Sequence, residues 1–563
     1  MRFERQALLG DGAFGEAGRP TGMYWDRHAQ RLAVAGSFNT LQWHARDVQA
    51  RRAFTYRVGV YDARAARRIA TFDQARFPIN DVAFHPHRPL LAVASGSYDG
   101  GYFYEGDLFI WDLETGDARS ILDEDREITR CWFDDEGYDL HITLRPRDDT
   151  DGDDLLLKAT LGQDAWRTAR AGRVAVSALD LTPVNATEGQ DGQARQDEES
   201  IQDSLEDVAR HAGVHYEPRW FVWDLAWTDV GDIVAVRNKT AFEHWTAQGA
   251  RLQHVADPWD GVQLALTPTG DAYVNLSTLH DVDGRWRLET RVEQIEVRTG
   301  RRSPFSPINF AALLSLSSSG ALLARDTGTD RLYTGQWRRD SRSRDRVLTP
   351  EADPPWAVPA TIRLEGLTVS EPLGLGGYDL FNHFLRIDGA PHLYFVHGTP
   401  SDLHEDRWIC RIDPSSLRVE RLFPLAWEPN REGHLQGGSA LYVNDGMGSA
   451  LIMSHQRSDG RGLQKGGVPI VRRRLDDGHT LWVTDFDAPV TTMAAMPERN
   501  MVVFTLNDGH VGLISIDTGK LRLLEGVEIN GVPSIYLALA VRGSRIAAGT
   551  IDGRIVVDDV VEA

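Results

Sequence analysis

The chain is poor in cysteine and lysine, holds no long apolar run and has no surplus of positive charge, and each shortage removes a class of protein. Only Cys131 and Cys410 occur among 563 residues, which excludes a disulfide-dense secreted scaffold and leaves two ordinary buried thiols as the expectation. No stretch approaches the roughly 20 apolar residues of a membrane helix, and Met1–Gln6 lacks the apolar core of a secretory signal. The expected location is the cytoplasm, with no membrane partner. Lysine stands only at Lys158, Lys239, Lys465 and Lys520, so arginine carries the positive charge, a bias that hints at a GC-rich bacterial genome. With 82 acidic against 61 basic residues the net charge is −21, which offers no field to draw in a polyanion, and nucleic acid is not expected as a partner. Gly-x-Ser-x-Gly, His-Glu-x-x-His and Cys-x-x-Cys are all missing, so nucleophilic and zinc chemistry have no local sequence support.

What the chain does have is glycine, tryptophan and repetition. Its 52 Gly and 16 Trp suit many tight turns between packed strands. Two kinds of hairpin alternate along nearly the whole length. The first joins a period-2 apolar strand, through a Gly- or Asp-rich turn, to a short strand of small and branched residues. Its clearest copies are Asp81–Ser95, Trp223–Val236, Val262–Leu276, Ala311–Arg325, Thr491–Leu506 and Tyr536–Thr550, with looser copies near Met23, Cys131, Phe381 and Leu441. The second is an apolar strand ending in an acidic or aromatic residue, a turn often containing Thr-Gly, and an outgoing strand, as in Phe109–Leu122 and Leu513–Leu524. Asp caps such a turn with its side chain and Gly supplies the positive φ.

Two hairpins, four strands, per roughly 40 to 50 residues is one propeller blade. Phe109-Ile110-Trp111-Asp112 resembles the WD-repeat family closely. The resemblance is degenerate elsewhere: the Gly-His dipeptide before the first strand is missing from most blades, and Trp223-Asp224 falls in a first strand. It implies an all-β propeller of about ten four-stranded blades in two rings, since a single ring usually holds roughly 4 to 8. The expected division is residues 1–348, with about six blades and an insertion at 185–213; a Pro-rich linker at 349–359; and residues 360–563, with about four blades. The last repeat stops after its third strand, so residues 3–9 are expected to supply the fourth and hide the open edge. Within the insertion, Asn185–Arg195 reads as polar and disordered, and Ser200–Ala212 as a helix with Ile201, Leu205, Val208 and Ala212 on one face and Gly213 as its stop.

Three constellations invite a chemical reading. Gly10-Asp11-Gly12-Ala13-Phe14-Gly15 has the spacing of a nucleotide-binding loop, but no lysine follows until Lys158 and no helix pattern follows at all, so a flexible link is expected. Asp148, Asp149, Asp151, Asp153 and Asp154 crowd one loop, yet the EF-hand position that should be Glu is Thr160. His383, His392, His397 and His404, with Glu405 and Asp406, are dense in metal-ligand chemistry, but His392 and His397 stand an odd number apart on one strand and face opposite sides. No cofactor and no metal are expected.

Insertions in a repeat protein collect on one face, often the binding face. Here they fall between second and third strands: Ser37–Ala53 with Trp43; Ser97–Gly106 with Tyr98, Tyr102, Phe103 and Tyr104; Ser277–Gly284; Gly398–Arg407 with His404 and Arg407; and Ser454–Gly467 with Arg457 and Arg461. Such aromatic and arginine side chains are enriched at protein interfaces. The resemblance and these loops together imply a non-enzymatic scaffold for protein partners. Two alternatives are a propeller enzyme with a channel-mouth site, perhaps metal-dependent, and a recruiting subunit of a bacterial ATP-driven assembly or defence system.

Overall fold

A computed structural model describes residues 1–37, 56–98, 103–148, 155–168, 174–185, 197–267, 270–282, 285–303, 310–326, 332–333, 345–350, 362–364, 367–370, 373, 387–397, 408–424, 434–436, 439–458 and 465–562. The described residues form an all-β fold of eight four-stranded sheets, one six-stranded and one three-stranded sheet, and two small two-stranded ribbons. In most sheets consecutive strands pair antiparallel, as in Ile79–Phe84, Leu90–Tyr98, Tyr104–Asp112 and Ala118–Ser120.

Position within a sheet explains composition. Second strands lie between neighbouring sheets and are apolar on both faces, so Leu32–Ala35, Leu91–Ala94 and Ile233–Val236 are fully buried. Outer strands differ, with Arg251–Ala256 exposing four of its six residues and only half-burying Gln253 and Val255. Asp62, Asp112 and Asp413 end third strands, and each Oδ1 accepts two backbone N–H groups of the following turn. Asp558, although spaced like a further copy, does another job: its carboxylate is buried and pairs with Arg5 at 2.5 Å.

A device that sequence reading did not anticipate recurs in the first strands. The register slips by one residue between Pro20 and Gly22, Ile79 and Asp81, Ile128 and Arg130, Val222 and Asp224, Gly261 and Gln263, Val490 and Thr492, and Tyr536 and Ala538. A bulge re-aims the side chains beside it. Here they reach the next sheet: Asp81 Oδ2 accepts the Cys131 N–H at 2.9 Å, Asp224 Oδ2 the Leu264 N–H at 2.8 Å, and Gln263 Oε1 the Leu313 N–H at 2.7 Å. The Thr491 hydroxyl donates to the Tyr536 carbonyl at 2.8 Å.

The chain forms two compact units. One holds Gly10–Ala45 and Arg51–Arg219. Its sheets follow one another from the Arg19–Trp25 strand to the Thr182–Asn185 strand. The Glu198–His211 helix packs Ile201, Leu205 and Ala209 onto Met23, Leu32, Val34 and Tyr61. Asp197 is its N-cap, accepting the Ser200 N–H at 2.9 Å. Ile201 and Leu205 face the core as the periodicity predicts, Ala209 joins them, and Val208 and Ala212 are only partly buried. Residues 186–196 lie outside the described residues.

The other unit holds Met1–Leu9 and Trp220–Ala563. Arg2–Leu9 pairs antiparallel with Ile555–Val561, from Arg2 opposite Val561 to Leu9 opposite Ile555, and completes the last four-stranded sheet. Strands follow in chain order: Val222–Trp227 packs on Asp260–Leu266, which meets Phe310–Ser317; Ile387–Ala390 pairs in parallel with Phe310–Ser317 at the edge of the six-stranded sheet, and Ala440–Asp445, Val490–Met496 and Tyr536–Arg542 come next. Tyr536–Arg542 packs in turn on Val222–Trp227, where Trp227 Nε1 donates to the Ala540 carbonyl at 3.1 Å. Buried ions are paired: Arg554 binds Asp552 through two nitrogens, and Glu243 meets Arg237 at 2.6 Å and His254 at 2.9 Å. Burial acts to raise the Glu243 carboxyl, but Arg237 and these hydrogen bonds outweigh it and hold the group at about 2. Of the expected linker, Thr349 and Pro350 end the Asp345–Pro350 strand, and 351–359 lie outside the described residues.

The inter-sheet bonds can be tested at Asp81. Burial pushes its carboxyl up, against the backbone N–H groups of Cys131 and Val82 that favour the charge. A folded pKa above the unfolded one means the ionised form costs stability at neutral pH, and the cost fades as pH falls through the folded value. Asp81→Asn removes the charge and keeps an acceptor for the Cys131 N–H, but turns the oxygen that accepts the Val82 N–H into a donor, so at pH 7 it should lose less urea stability than Asp81→Ala. Asp81→Ala orphans the Cys131 N–H and should lose about 1–2 kcal/mol. Equal losses in the two variants would contradict the role assigned to the acceptor.

Candidate interaction surface

Among the described long insertions, Ser97–Gly106 shows the most geometry. It is not a free loop. The strands Leu90–Tyr98 and Tyr104–Asp112 stay in register up to the Tyr98–Tyr104 pair, so the blade extends into a hairpin arm. At Gly106 the backbone comes so close to Ser95 that any Cβ would collide with its carbonyl, which is why glycine stands there.

The tip divides into brace and display. Tyr104 is buried, 5.0 Å from the Tyr98 ring and 5.2 Å beneath the Arg145 guanidinium, and its N–H donates to the Arg147 carbonyl. Phe103 forms a β-bridge with Asp148. The arm is thus tied to the hairpin of the following sheet. Tyr98 and Phe103 remain 42% and 44% exposed. Arg76 spans the base, 2.9 Å from Asp125 and 3.3 Å from Asp107. Two large aromatics on a braced support are suited to insert into a partner, because little rotamer freedom remains to be lost.

The other insertions are placed as follows. Of Ser277–Gly284, residues 277–282 continue a ribbon: Asp271–Val282 pairs with Arg285–Glu296 through twelve rungs, up to Val282 opposite Arg285, and 283–284 lie outside the described residues. Arg457 lies on the short Gln456–Ser458 strand, opposite Leu435. Trp43, Tyr102, His404, Arg407 and Arg461 lie outside the described residues. Among the described residues no three His, Cys, Asp or Glu side chains converge as a metal site would require. Asp149, Asp151, Asp153, Asp154, His383, Glu405 and Asp406 fall outside them. Both cysteines are free and buried; burial pushes the Cys131 thiol well up and the Cys410 thiol up to about 12, the range of inert thiols.

The glycine-rich motif is a receptacle for arginine, not a flexible link. A phosphate loop aims backbone N–H groups at its ligand. Here the carbonyls converge: Gly10, Gly12 and Ala13 accept from the buried Arg219 guanidinium at 3.1, 2.7 and 3.1 Å, while the Ala13 N–H is taken by the His215 carbonyl. A Cβ at Gly15 would come 3.1 Å from that guanidinium, so glycine leaves room for the cation. No local pattern could reveal a partner some 200 residues away.

No known family model matches the chain, and no curated protein matches it. Solved structures do. A chain of a mitotic checkpoint complex covers 61% of this chain and 87% of itself at 11% identity and a TM-score of 0.38. The structure of U3-55K covers 61% of this chain and 96% of its own at 10% identity and 0.40. The RRP9 WD40 repeats cover 61% and 95% at 10% identity and 0.40. At such scores these likenesses carry no argument, and the fold class rests on the sheets themselves: successive, mostly four-stranded antiparallel sheets, as in a multi-bladed propeller. No helix among the described residues is long and apolar enough to cross a membrane.

Arg219→Ala should cost about 2–3 kcal/mol, because three buried carbonyls lose their donor together, and millimolar ATP with Mg²⁺ should leave the melting temperature of the wild type unchanged. A nucleotide-dependent rise in melting temperature would reinstate the phosphate-binding alternative.

Proposed function

We propose that the protein is a non-enzymatic interaction scaffold, a propeller of about ten blades that binds protein partners through the long second-to-third-strand hairpins of one face. The observation that carries this reading is the tip of the Leu90–Asp112 hairpin, where Tyr98 and Phe103 stay exposed while Tyr104, Arg145 and Asp148 hold the arm in place. The same rim would include Trp43, Tyr102, His404, Arg407, Arg457 and Arg461. On this reading the blades stand in two rings, one of them closed by the N-terminal strand, which completes the last four-stranded sheet.

The paired substitution Tyr98→Ala, Phe103→Ala tests the hairpin. Both side chains are substantially exposed, so the melting temperature should hold. Partner recovery from an extract of the source cells should fall by about 30-fold, the equivalent of about 2 kcal/mol for an aromatic hot spot. Tyr104→Ala should lower stability instead, through the lost brace. Equal recovery by the double variant and the wild type would reject this hairpin as the contact.

A further inference from the structure

The last sheet of the Gly10–Arg219 unit has two unlike faces. One carries Cys131, Leu140, Ile142, Ala159 and Leu161 into the core shared with Ala92, Ala94, Leu108 and Ile110. The other is polar and organised in two rows across the strands Ile128–Phe133, Asp139–Leu144 and Leu155–Gly162: Arg130, Thr143, Lys158, then Trp132, His141, Thr160. Trp132 is the centre. The Lys158 ammonium stands 5.2 Å and the Arg130 guanidinium 5.7 Å from its ring, His141 stacks on it at 5.3 Å, and the His141 Nδ1 is 2.8 Å from the Thr160 hydroxyl. Thr182 extends the first row beside Lys158.

Two observations mark this face. The Arg19–Trp25 sheet at the other end of the unit has its flank covered by the Glu198–His211 helix, whereas among the described residues of the unit no strand or helix lies across the Trp132 flank. In a chain of net charge −21, neither row contains a carboxylate; Asp139 stands beyond the second row, opposite Gly162, and beyond the first row an Asp-rich segment joins Asp139–Leu144 to Leu155–Gly162.

We propose that this flank is a docking surface for an acidic, extended polypeptide segment of a partner protein. The case is charge complementarity. Arg130 and Lys158 stand in one row, two strand spacings or about 9–10 Å apart, and both lie within 6 Å of the Trp132 ring. Carboxylates would meet Arg130 and Lys158, the chain would lie against Trp132, and the exposed Thr160 and Thr182 hydroxyls would serve its backbone, Thr143 being buried. Each ion pair is solvent-facing and screened, so binding is weak and salt-sensitive. A single-stranded nucleic acid could also stack on Trp132, but the charge of the chain opposes it. This surface is separate from the hairpin tip and does not depend on the reading given for it.

The test is fluorescence anisotropy on the full chain with a fluorescein-labelled peptide of alternating Glu and Gly, a Gln-Gly control and an oligothymidylate. The Glu-Gly peptide should bind, about tenfold or more tighter than the control, and weaken by about tenfold between roughly 50 and 300 mM salt. Lys158→Glu, at an exposed strand position, should abolish binding without altering the melting temperature; Trp132→Phe should retain most of the binding and Trp132→Ala little. No binding of the Glu-Gly peptide, or unchanged binding by Lys158→Glu, overturns the proposal. Tighter binding of the oligothymidylate overturns it in favour of nucleic acid, and concentration-dependent self-association lost in Lys158→Glu overturns it in favour of a second copy of the chain.

Discussion

The fold depends on what the first strand of each blade offers the next. Stacked sheets bury apolar faces against one another, but hydrophobic contact has no direction and would tolerate a slip. The bonds from Asp81 to Cys131, Asp224 to Leu264, Gln263 to Leu313 and Thr491 to Tyr536 are directional. They exist because a bulge at the start of each first strand turns the side chain out of its own sheet. Each is made in partly buried surroundings, where a lost partner can cost more than the bond itself contributes. Blade follows blade at a fixed register, and the second strands behind them are free to be plain apolar filler.

Once register is fixed this way, decoration is cheap. Glu243 with Arg237 and Asp552 with Arg554 hold turns inside the unit of Met1–Leu9 and Trp220–Ala563, and Arg219 gathers Gly10, Gly12 and Ala13 in the other. The hairpin arms leave the blades as continuations of the same ladder, so an aromatic at a tip inherits the rigidity of the sheet. That is the physical link between a repeat core and a binding role: the core supplies stiffness, and the variable ends supply contacts.

Much of this was legible where the cause is local. The Phe109–Asp112 run announced its blade because turn capping by Asp112 acts over a few residues, and the small, branched second strands announced burial on both faces. Asp283-Gly284 between alternating residues is a hairpin signal that was open to view, and the flanking strands run unbroken to Val282 and from Arg285. Tyr104 could not be told from Phe103 by sequence, since Arg145 of the following blade decides which of them is covered. The Gly10–Gly15 motif was opaque for the same reason, its partner Arg219 being remote. Where a residue's role is set by a neighbour across a blade boundary, composition and spacing fall silent.

The most direct test of the account is amide hydrogen exchange read by mass spectrometry over Arg2–Leu9. If this strand is the clasp of the last blade, its amides that bond to Ile555–Val561 should exchange as slowly as those of the neighbouring Arg545–Thr550 strand and be released with them in one cooperative opening. Exchange of Arg2–Leu9 at the rate of an unstructured chain, with Arg545–Thr550 still protected, would contradict closure by the N-terminal strand.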